Sequence, residues 1–295
     1  MKINLEELRH RQSMSLKDKI DMSCEKIEQW YDHWNGLVYI SFSGGKDSTV
    51  LRHIVNSIFQ EIPSVFIDTG LEYPEIRSFV KSCDNVIFIK PKYTFKEIIE
   101  KYGYPIVSKE QSDFISDYRN TKSEKLRKYR IEGNKWGRGK ISKKWLYLID
   151  APFKISNKCC DFLKKEPAHR YEKKTGRKPY FGNMANESSQ RTQNYLQNGC
   201  NAFETKRPIS RPLAFWLESD ISEFLQKYNI PWAKELYSTL GYQRTGCMFC
   251  MFGTHMENEP NKFQRMKETH PKQYEYCMNQ LGLAEVLDFM NIKKE

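Results

Sequence analysis

The fold is decided by Leu37-Val38-Tyr39-Ile40-Ser41-Phe42-Ser43-Gly44-Gly45-Lys46-Asp47-Ser48. The apolar start of this stretch predicts a buried strand, and residues 48–59 predict a helix. Two glycines between them let successive backbone N–H groups converge on one point, to which the helix adds its positive N-terminal end. Ser43 and Ser48 can donate hydroxyl hydrogen bonds, and Lys46 adds a positive charge. The stretch therefore predicts a phosphate-binding loop rather than a plain glycine turn.

Strands and helices alternate on both sides of this loop. Helical spacing of apolar residues covers residues 5–35, before the loop. After it come strands Ser64–Ile67 and Val86–Ile89, a helix from Pro74 and a helix over Thr94–Tyr102. Such alternation predicts an α/β fold, a doubly wound, mostly parallel sheet with helices on both faces.

The rest of the chain predicts additions to this sheet. Tyr180–Met184 predicts a later strand, and Asp220–Tyr228 and Pro271–Phe289 predict helices. The expected organisation has three parts, which are an N-terminal helical segment over 1–36, a nucleotide-binding α/β domain over 37–235 with a basic insertion near 118–147, and a C-terminal cysteine-containing and helical segment over 236–295.

Composition limits the class of protein. The 295 residues are 39% hydrophobic and 14% aromatic, which is typical of a packed globular chain. No run of about 18 apolar residues occurs, so no membrane partner is expected. The charged start, Met1 to Leu8, does not resemble a signal peptide, and a cytoplasmic location is expected.

A net charge of +11 favours polyanionic partners. Residues 118–147 are dense in Lys and Arg, interleaved with Tyr118, Tyr129, Trp136 and Trp145. Such a segment can follow a nucleic-acid backbone and stack bases. The simpler alternative is a solvated helical insertion whose aromatic residues dock it onto the core, and both interpretations stay open.

The loop resembles the PP-loop of ATP pyrophosphatases, the adenine nucleotide alpha hydrolases. Those enzymes hold ATP and cleave it between the alpha and beta phosphates. The segment Asp68-Thr69-Gly70, followed by Pro74-Glu75, resembles the phosphoadenosine phosphosulfate (PAPS) reductase branch. Asp68 ends a predicted parallel strand, where such sheets contact ligands, and it can also cap the turn at Gly70. The resemblance implies an adenine nucleotide, ATP or a sulfonucleotide (PAPS or APS), bound by Ser43, Gly44, Gly45, Lys46, Asp47, Ser48, Asp68, Thr69 and Gly70.

A third segment, Gly182 to Arg191, looks like the Gly-x4-Glu-Ser-x2-Arg motif of the same superfamily. The resemblance adds Glu187 and Ser188 to the nucleotide site and makes Arg191 and Lys46 the catalytic residues. The planar guanidinium of Arg191 suits phosphate or sulfate oxygens. The alternative is an ordinary helix start with the same letters.

Four of the eight cysteines form a set. Cys159 and Cys160 are adjacent, and Cys247 and Cys250 form a Cys-x2-Cys pair 87 residues after Cys160. In a reducing compartment they are not expected to be structural disulfides. Four thiolates suit zinc or a [4Fe–4S] cluster. The side chains of adjacent residues point apart, which favours the larger cluster, while zinc and redox-active free thiols remain alternatives.

The segment Lys158 to Pro167 looks like the Cys-Cys segment of cluster-bearing assimilatory sulfonucleotide reductases. Arg211 to Trp216, followed by Gly246 to Cys250, is similar to their C-terminal part. The resemblance covers about residues 37–255 without the insertion and implies a [4Fe–4S] cluster on the four cysteines. Cys24, Cys83 and Cys200 carry no motif and are interpreted as buried or incidental.

Those reductases carry a further, nucleophilic cysteine in a Glu-Cys-Gly-Leu-His motif, which this chain lacks. The only late cysteine is Cys277, 27 residues after Cys250. Tyr274, Cys277, Met278 and Leu281 share one face of a predicted helix, so a packed cysteine is the favoured interpretation.

Three hypotheses follow. In the first, the chain adenylates a substrate with ATP and Mg²⁺, releases pyrophosphate, and sulfur from a cysteine desulfurase or thiol carrier displaces AMP. PP-loop enzymes that thiolate tRNA, or act in DNA phosphorothioation, are similar in this respect, and the acceptor could be nucleic acid bound by residues 118–147. In the second, the chain is a sulfonucleotide reductase that uses Cys277. In the third, it is a non-catalytic nucleic-acid-binding module.

Overall fold

The computed structural model describes residues 3–243 and 245–294. Met1 and Lys2, at the charged start, lie outside this range. The helices are α1 (Leu5–Ser13), α2 (Leu16–His33), α3 (Lys46–Ile58), α4 (Pro74–Lys81), α5 (Phe95–Tyr102), α6 (Lys109–Asn120), α7 (Glu124–Glu132), α8 (Lys158–Cys160), α9 (Glu166–Thr175), α10 (Ser189–Asn198), α11 (Glu218–Lys227), α12 (Lys234–Ser238), α13 (Lys262–Thr269), α14 (Pro271–Glu275) and α15 (Leu283–Phe289). The strands are β1 (Val38–Ser41), β2 (Ser64–Ile67), β3 (Val86–Ile89), β4 (Ile106–Val107), β5 (Lys178–Tyr180), β6 (Asn201–Ala202), β7 (Ile209–Ser210) and β8 (Met251–Phe252).

The chain folds into two compact units. Unit 1 contains Met1–Asp68, Tyr73–Lys90 and Pro167–Thr245. Unit 2 contains Thr69–Glu72, Pro91–Glu166 and Gly246–Glu295. The basic insertion thus belongs to the same unit as residues 246–295, whereas residues 236–245 of the predicted C-terminal segment belong to unit 1.

Unit 1 contains a six-stranded sheet in the order β3-β2-β1-β5-β7-β6. Neighbouring strands are parallel except for the antiparallel pair β6 and β7. Val38, Tyr39 and Ile40 of β1 are at most 1% exposed, as expected for a parallel strand covered on both faces. The predicted α/β fold is confirmed. Because β2 and β5 lie on opposite sides of β1, the carboxyl end of β1 is the switch point where such sheets bind ligands.

The N-terminal segment of unit 1 forms two helices, α1 and α2, rather than one. Ser15 separates α1 from α2, because its side chain accepts a hydrogen bond from Asp18 N and caps the second helix. Ile27 and Trp30 of α2 are fully buried. The predicted helical segment over 5–35 is therefore confirmed as two helices.

Unit 2 is held together by contacts between distant parts of the chain. Its two-stranded sheet pairs β4 with β8 in parallel, Ile106 beside Met251 and Val107 beside Phe252. The basic insertion contains α7 and a 3-10 helix over Lys143–Asp150. Trp145 of that 3-10 helix is 7% exposed, whereas Trp136 is 70% exposed. The insertion therefore both docks an aromatic residue and presents one to solvent.

Two predicted elements are corrected. The predicted strand over Tyr180–Met184 is instead Lys178–Tyr180, and Phe181 to Met184 form a loop. The predicted helix over Pro271–Phe289 is interrupted. Its middle is a π-helical turn over Tyr276–Gln280, and Gly282 has a φ of +68°, a left-handed conformation that ends a helix.

Within residues 3–243 and 245–294, no helix combines the length and the apolar character that a membrane span requires.

Candidate functional site

The glycine loop joins β1 to α3 and is closed by its own hydroxyl groups. Ser48 Oγ donates to Gly45 O at 2.9 Å and accepts from Ser43 N at 3.2 Å. The hydroxyl oxygens of Ser43 and Ser48 are 3.1 Å apart. Gly45 is the N-cap of α3 and has no side chain to cap that helix. The Lys46 N–H is hydrogen-bonded to the Tyr237 hydroxyl, and the positive end of the helix can attract an anion.

The loop has no room for side chains at its glycines. Gly44 has a φ of +75°, and a Cβ there would lie 2.5 Å from Val80 Cγ2 and 2.8 Å from Ile76 Cγ2 of α4. A Cβ on Gly182 would lie 2.8 Å from Asp47 O. The motif beginning at Gly182 is thus brought against the start of α3, as a shared site requires.

Lys46 contacts two residues that the sequence did not single out, Glu218 and Tyr237, in addition to Asp47. Its Nζ lies 2.8 Å from Glu218 Oε1 of α11 and 3.8 Å from Asp47 Oδ1. It also lies 5.5 Å from the ring centroid of Tyr237 in α12. Burial acts to lower the pKa of Lys46, but Asp47 and Glu218 outweigh it and the pKa is raised. Lys46 is therefore a fixed cation at the helix start.

Asp47 is an unusually placed carboxylate. Burial raises its pKa to about 6, against the opposing effect of Lys46, and Glu187 and Glu218 raise it further. Its Oδ1 is buried and has no hydrogen-bond partner among the described residues. Such a group indicates a functional site, because structure alone does not require it.

Asp68, at the end of β2, is 7% exposed. Arg77 Nη2 donates to its Oδ2 at 2.7 Å, while its Oδ1 is another buried oxygen without a hydrogen-bond partner in the described part of the chain. The turn that follows is stabilised by Thr69, whose N–H and hydroxyl both donate to Glu72, and not by Asp68. Gly70 has a φ of +75°. The predicted turn-capping role of Asp68 is therefore replaced by Glu72.

The third motif forms the start of α10. Ser188 caps this helix by accepting from Arg191 N at 3.3 Å. Arg191 forms an ion pair with Glu187, which also accepts from Met184 N at 2.8 Å. The charges of Glu187 and Arg191 both act on Asp47, so this motif and the loop share one electrostatic environment.

All four cysteines of the predicted set lie in unit 2. Cys159 and Cys160 are hydrogen-bonded to each other. That bond, together with burial, raises the pKa of Cys159. The same bond lowers the pKa of Cys160 to about 6, against burial and with help from Lys109, Lys164 and Lys165. Cys160 is therefore the thiol that ionises most readily in the pair.

The second pair interacts with the first. The charges of Cys247 and Cys250 act on Cys159, and those of Cys250 and Cys160 act on Cys247. Lys164 is hydrogen-bonded to Cys247. The charge of Cys247 has the largest effect on this lysine and raises its pKa, whereas burial acts to lower it. Among the described residues, no three His, Cys, Asp or Glu side chains are placed to hold a single metal ion. The four thiols share one electrostatic environment, and Lys164, missed from the sequence, is the cation hydrogen-bonded to one of them.

The remaining cysteines are packed. Cys277 is fully buried, donates from Sγ to Tyr274 O at 3.2 Å, and has a pKa raised to about 12 by burial. Burial also raises the pKa of Cys200 to about 12. Cys24 and Cys83 are half-buried. None of these four thiols is placed as a ready nucleophile.

Comparison with known families gives one match. The family described as the phosphoadenosine phosphosulfate reductase domain matches residues 37–85 and 81–252. These ranges contain the glycine loop, the Asp68 turn, the motif at Gly182 and all four cysteines of the set. Cys277 lies outside them.

Two curated relatives are uncharacterized proteins of Methanocaldococcus jannaschii, MJ0973 and MJ0066. They are 26% identical over 268 residues and 24% identical over 260 residues. The matches cover 87% and 86% of this chain but 52% and 43% of the relatives. The chain thus spans about half the length of the curated relatives it matches.

Two solved structures are similar at low identity. One is the phosphoadenylyl-sulfate (PAPS) reductase of Candida auris in its phosphate complex, at 16% identity and a TM-score of 0.45, covering 84% of this chain and 97% of that chain. The other is the U34-tRNA thiolase NcsA of Methanococcus maripaludis with its [4Fe-4S] cluster, at 14% identity and a TM-score of 0.39, covering 91% and 80%.

Proposed function

Because the chain belongs to the phosphoadenosine phosphosulfate reductase domain family, we propose that it is a PP-loop enzyme that activates an acceptor with ATP for sulfur transfer. An acceptor oxygen attacks the alpha phosphorus and pyrophosphate leaves. A persulfide from a cysteine desulfurase or thiol carrier then attacks the activated carbon, and AMP leaves with the oxygen. A second thiol attacks the resulting S–S bond, so that the outer sulfur stays on the acceptor as a thiol and the donor leaves as a disulfide with the second thiol. Nucleic acid is the proposed acceptor.

The observation that carries this proposal is the loop at the carboxyl end of β1. The N-terminus of α3, which directly follows this loop and has no side-chain cap, forms an anion site. Lys46 is already fixed there by its ion pair with Glu218. When ATP binds, Lys46 leaves Glu218 and contacts phosphate oxygens. Arg191 likewise leaves its ion pair with Glu187 and contacts phosphate oxygens. Both cations then stabilise charge as pyrophosphate leaves.

Asp47 and Asp68 are the proposed Mg²⁺ ligands. Each has a buried carboxylate oxygen that accepts no hydrogen bond from the described residues. Mg²⁺ prefers carboxylate and phosphate oxygens and bridges the two in nucleotide sites. A cation beside Asp47 would also compensate the burial that raises its pKa to about 6.

The four thiols of unit 2 suit a [4Fe–4S] cluster. Cys159, Cys160, Cys247 and Cys250 would hold it, since four cysteine thiolates are its usual donor set. When bound, such a cluster supplies redox chemistry or a binding site for sulfur. Lys164, hydrogen-bonded to Cys247, would balance part of the charge of the thiolates.

The state of Cys277 favours this reaction over sulfonucleotide reduction. A reductase needs a thiolate nucleophile, and a fully buried thiol with a pKa near 12 ionises poorly at neutral pH. The described structure thus supports activation by ATP without a cysteine nucleophile at position 277.

Pyrophosphate release tests the proposal. Anaerobically purified protein is incubated with ATP, Mg²⁺ and RNA or DNA. We expect release that Lys46→Ala lowers at least about 100-fold, as for loss of a charge-stabilising group. Lys17→Ala is the matched control, because Lys17 is an exposed lysine of α2. Protein that binds no ATP contradicts the proposal, and sulfite release from APS or PAPS with a thiol would instead establish a reductase.

A further inference from the structure

A cavity of about 380 Å³ in unit 2 is lined by four cations. They are Lys101, Arg119, Lys154 and Lys158. The other lining residues are uncharged, and no acidic side chain is among those that border the cavity. From this we infer that the cavity binds a phosphodiester of a nucleic-acid strand.

Two of the cations are held in place by backbone oxygens. Arg119 donates to Phe153 O at 2.7 Å and to Ala151 O at 3.2 Å. Lys154 Nζ donates to two carbonyl oxygens at the end of α5, at 3.2 and 3.3 Å. Carbonyl groups fix these side chains but leave their charge uncompensated. The cavity is thus a preorganised positive site, which lowers the cost of binding an anion.

The excess of cations is particular to this cavity. A second cavity of unit 2, of about 460 Å³, is lined by Lys144 and Lys293 together with Glu257 and Glu259. There Lys293 lies 3.0 Å from Glu259. Basic composition alone therefore does not make every cavity of unit 2 positive.

The cations of the cavity are also distinct from those that serve the thiols. Lys109, Lys164 and Lys165 are the lysines whose charges act on Cys160, and none of them lines the cavity. Of the lining lysines, Lys158 lies near a carboxylate, 3.7 Å from Asp161. Balancing the thiolates does not account for the other three cations.

The surrounding chain indicates a polyanion rather than a small anion. Arg119 belongs to the insertion over 118–147, which holds eleven Lys and Arg against two Glu in a chain of net charge +11. Trp136 and Tyr147 of the insertion are 70% and 42% exposed. Exposed aromatic rings among cations suit single strands, whose bases stack while the phosphates meet the cations.

The cavity also places the strand in the unit that holds the thiols. Lys158 lines the cavity and directly precedes Cys159. This inference rests on the proposed function for its choice of nucleic acid, and it names where that acceptor is held. Its test measures binding without ATP, so its failure is distinct from absence of pyrophosphate release.

The experiment compares two triple variants of the whole chain. One is Lys101→Gln, Lys154→Gln and Lys158→Gln. The control is Lys92→Gln, Lys96→Gln and Lys272→Gln, which removes three exposed lysines of unit 2 that do not line the cavity. Affinity for a labelled single-stranded RNA or DNA of about 20 nucleotides is measured by fluorescence anisotropy from about 50 to 200 mM salt, the range in which phosphate contacts weaken strongly.

We expect the cavity variant to bind about 10- to 100-fold more weakly at low salt, with a salt slope lower by about two. We expect the control to change less than about threefold. Unchanged thermal unfolding and iron content show that both variants are folded. Equal losses in both variants overturn the inference. So does inorganic phosphate bound by the cavity when the oligonucleotide affinity is unchanged.

Discussion

Units 1 and 2 build their candidate sites in different ways. In unit 1 the loop is fixed by steric constraint, because a side chain at Gly44 or Gly182 would collide with neighbouring atoms. In unit 2 the thiols are defined by charge, because Lys164 and Lys109 act on cysteines drawn from two distant segments. The glycine loop of the first site lies within a few consecutive residues, although the atoms that crowd it come from distant segments. A site of the second kind exists only once the chain has folded.

The largest expected effect is in unit 2. Cys247→Ser is expected to lower iron from about four per chain to less than about one, since a cluster needs all four thiolates. Iron content and the visible spectrum of anaerobic protein measure this. Cys200→Ser is the control, because Cys200 is buried in unit 1 and interacts with Tyr195 rather than with the thiol set. Equal iron content in the two variants would contradict the assignment of the cluster to the thiols of unit 2.

Steric constraint in unit 1 gives the next effect. Gly44→Ala combines a left-handed backbone with a Cβ contact of 2.5 Å. We therefore expect the free energy of unfolding to fall by about 2–4 kcal/mol, and we expect ATP binding to be lost as well. Gly176 has a similar φ of +74° and nothing within 4 Å of a Cβ. Gly176→Ala is therefore expected to cost about 1 kcal/mol. Urea unfolding measures both, and equal losses would mean that crowding at the loop contributes nothing.

The raised pKa of Asp47 predicts a pH effect on unit 1. The folded state binds this proton with a pKa of about 6, against an ordinary value near 3.8. Stability therefore falls as pH rises from about 4 to about 6, and the loss is complete above that window. We expect Asp47→Asn to be more stable than the wild type at pH 8 by about 1–2 kcal/mol, allowing for the 30% exposed side chain, and equal to it near pH 4.

Urea unfolding of the two proteins from pH 4 to pH 8 measures this difference. The Asp288→Asn variant serves as control, since Asp288 is 61% exposed and lies in unit 2. An Asp47→Asn variant that is less stable than the wild type at pH 8, with the difference vanishing toward pH 4, would show that Asp47 is stabilised rather than strained in the folded state.

The smallest effect is expected at Cys277. Because its thiol is buried and hydrogen-bonded to Tyr274 O, Cys277→Ala is expected to cost about 1 kcal/mol of stability and to change pyrophosphate release less than about twofold. Thermal unfolding and turnover measure the two quantities. If a folded Cys277→Ala variant had no turnover, this result would support Cys277 as the nucleophile.

Much of the fold could be predicted because its signals are local. Ser64–Ile67 and Val86–Ile89 are strands with the predicted bounds, since short apolar runs between turns predict strands. The first is buried, whereas Ile87 and Phe88 of the second, an edge strand, are exposed. β4 and β8 could not be predicted, because each has two residues and they pair across about half of the chain. The break at Gly282 also depends on a distant residue, Tyr104, whose hydroxyl donates to Leu281 O at 2.8 Å.

The candidate sites divide in the same way. The functional residues of the loop and of each cysteine pair are close together in sequence, so the sequence alone identifies them. Glu218 and Tyr237 reach Lys46 from α11 and α12, and nothing in their own surroundings indicates this. Lys164 is one of 48 Lys and Arg residues, and only the folded chain shows that it is hydrogen-bonded to Cys247.

The order of segments along the chain has a consequence for biosynthesis. Cys159 and Cys160 are separated from Cys247 by residues 167–245, which belong to unit 1. At about 5–20 residues per second, a ribosome adds the second pair about 4–17 s after the first. A nascent or truncated chain that ends before Cys247 has only half of the thiols. Loading of the proposed cluster would therefore wait until Cys247 and Cys250 are made, and bound iron would report that translation ran past position 250.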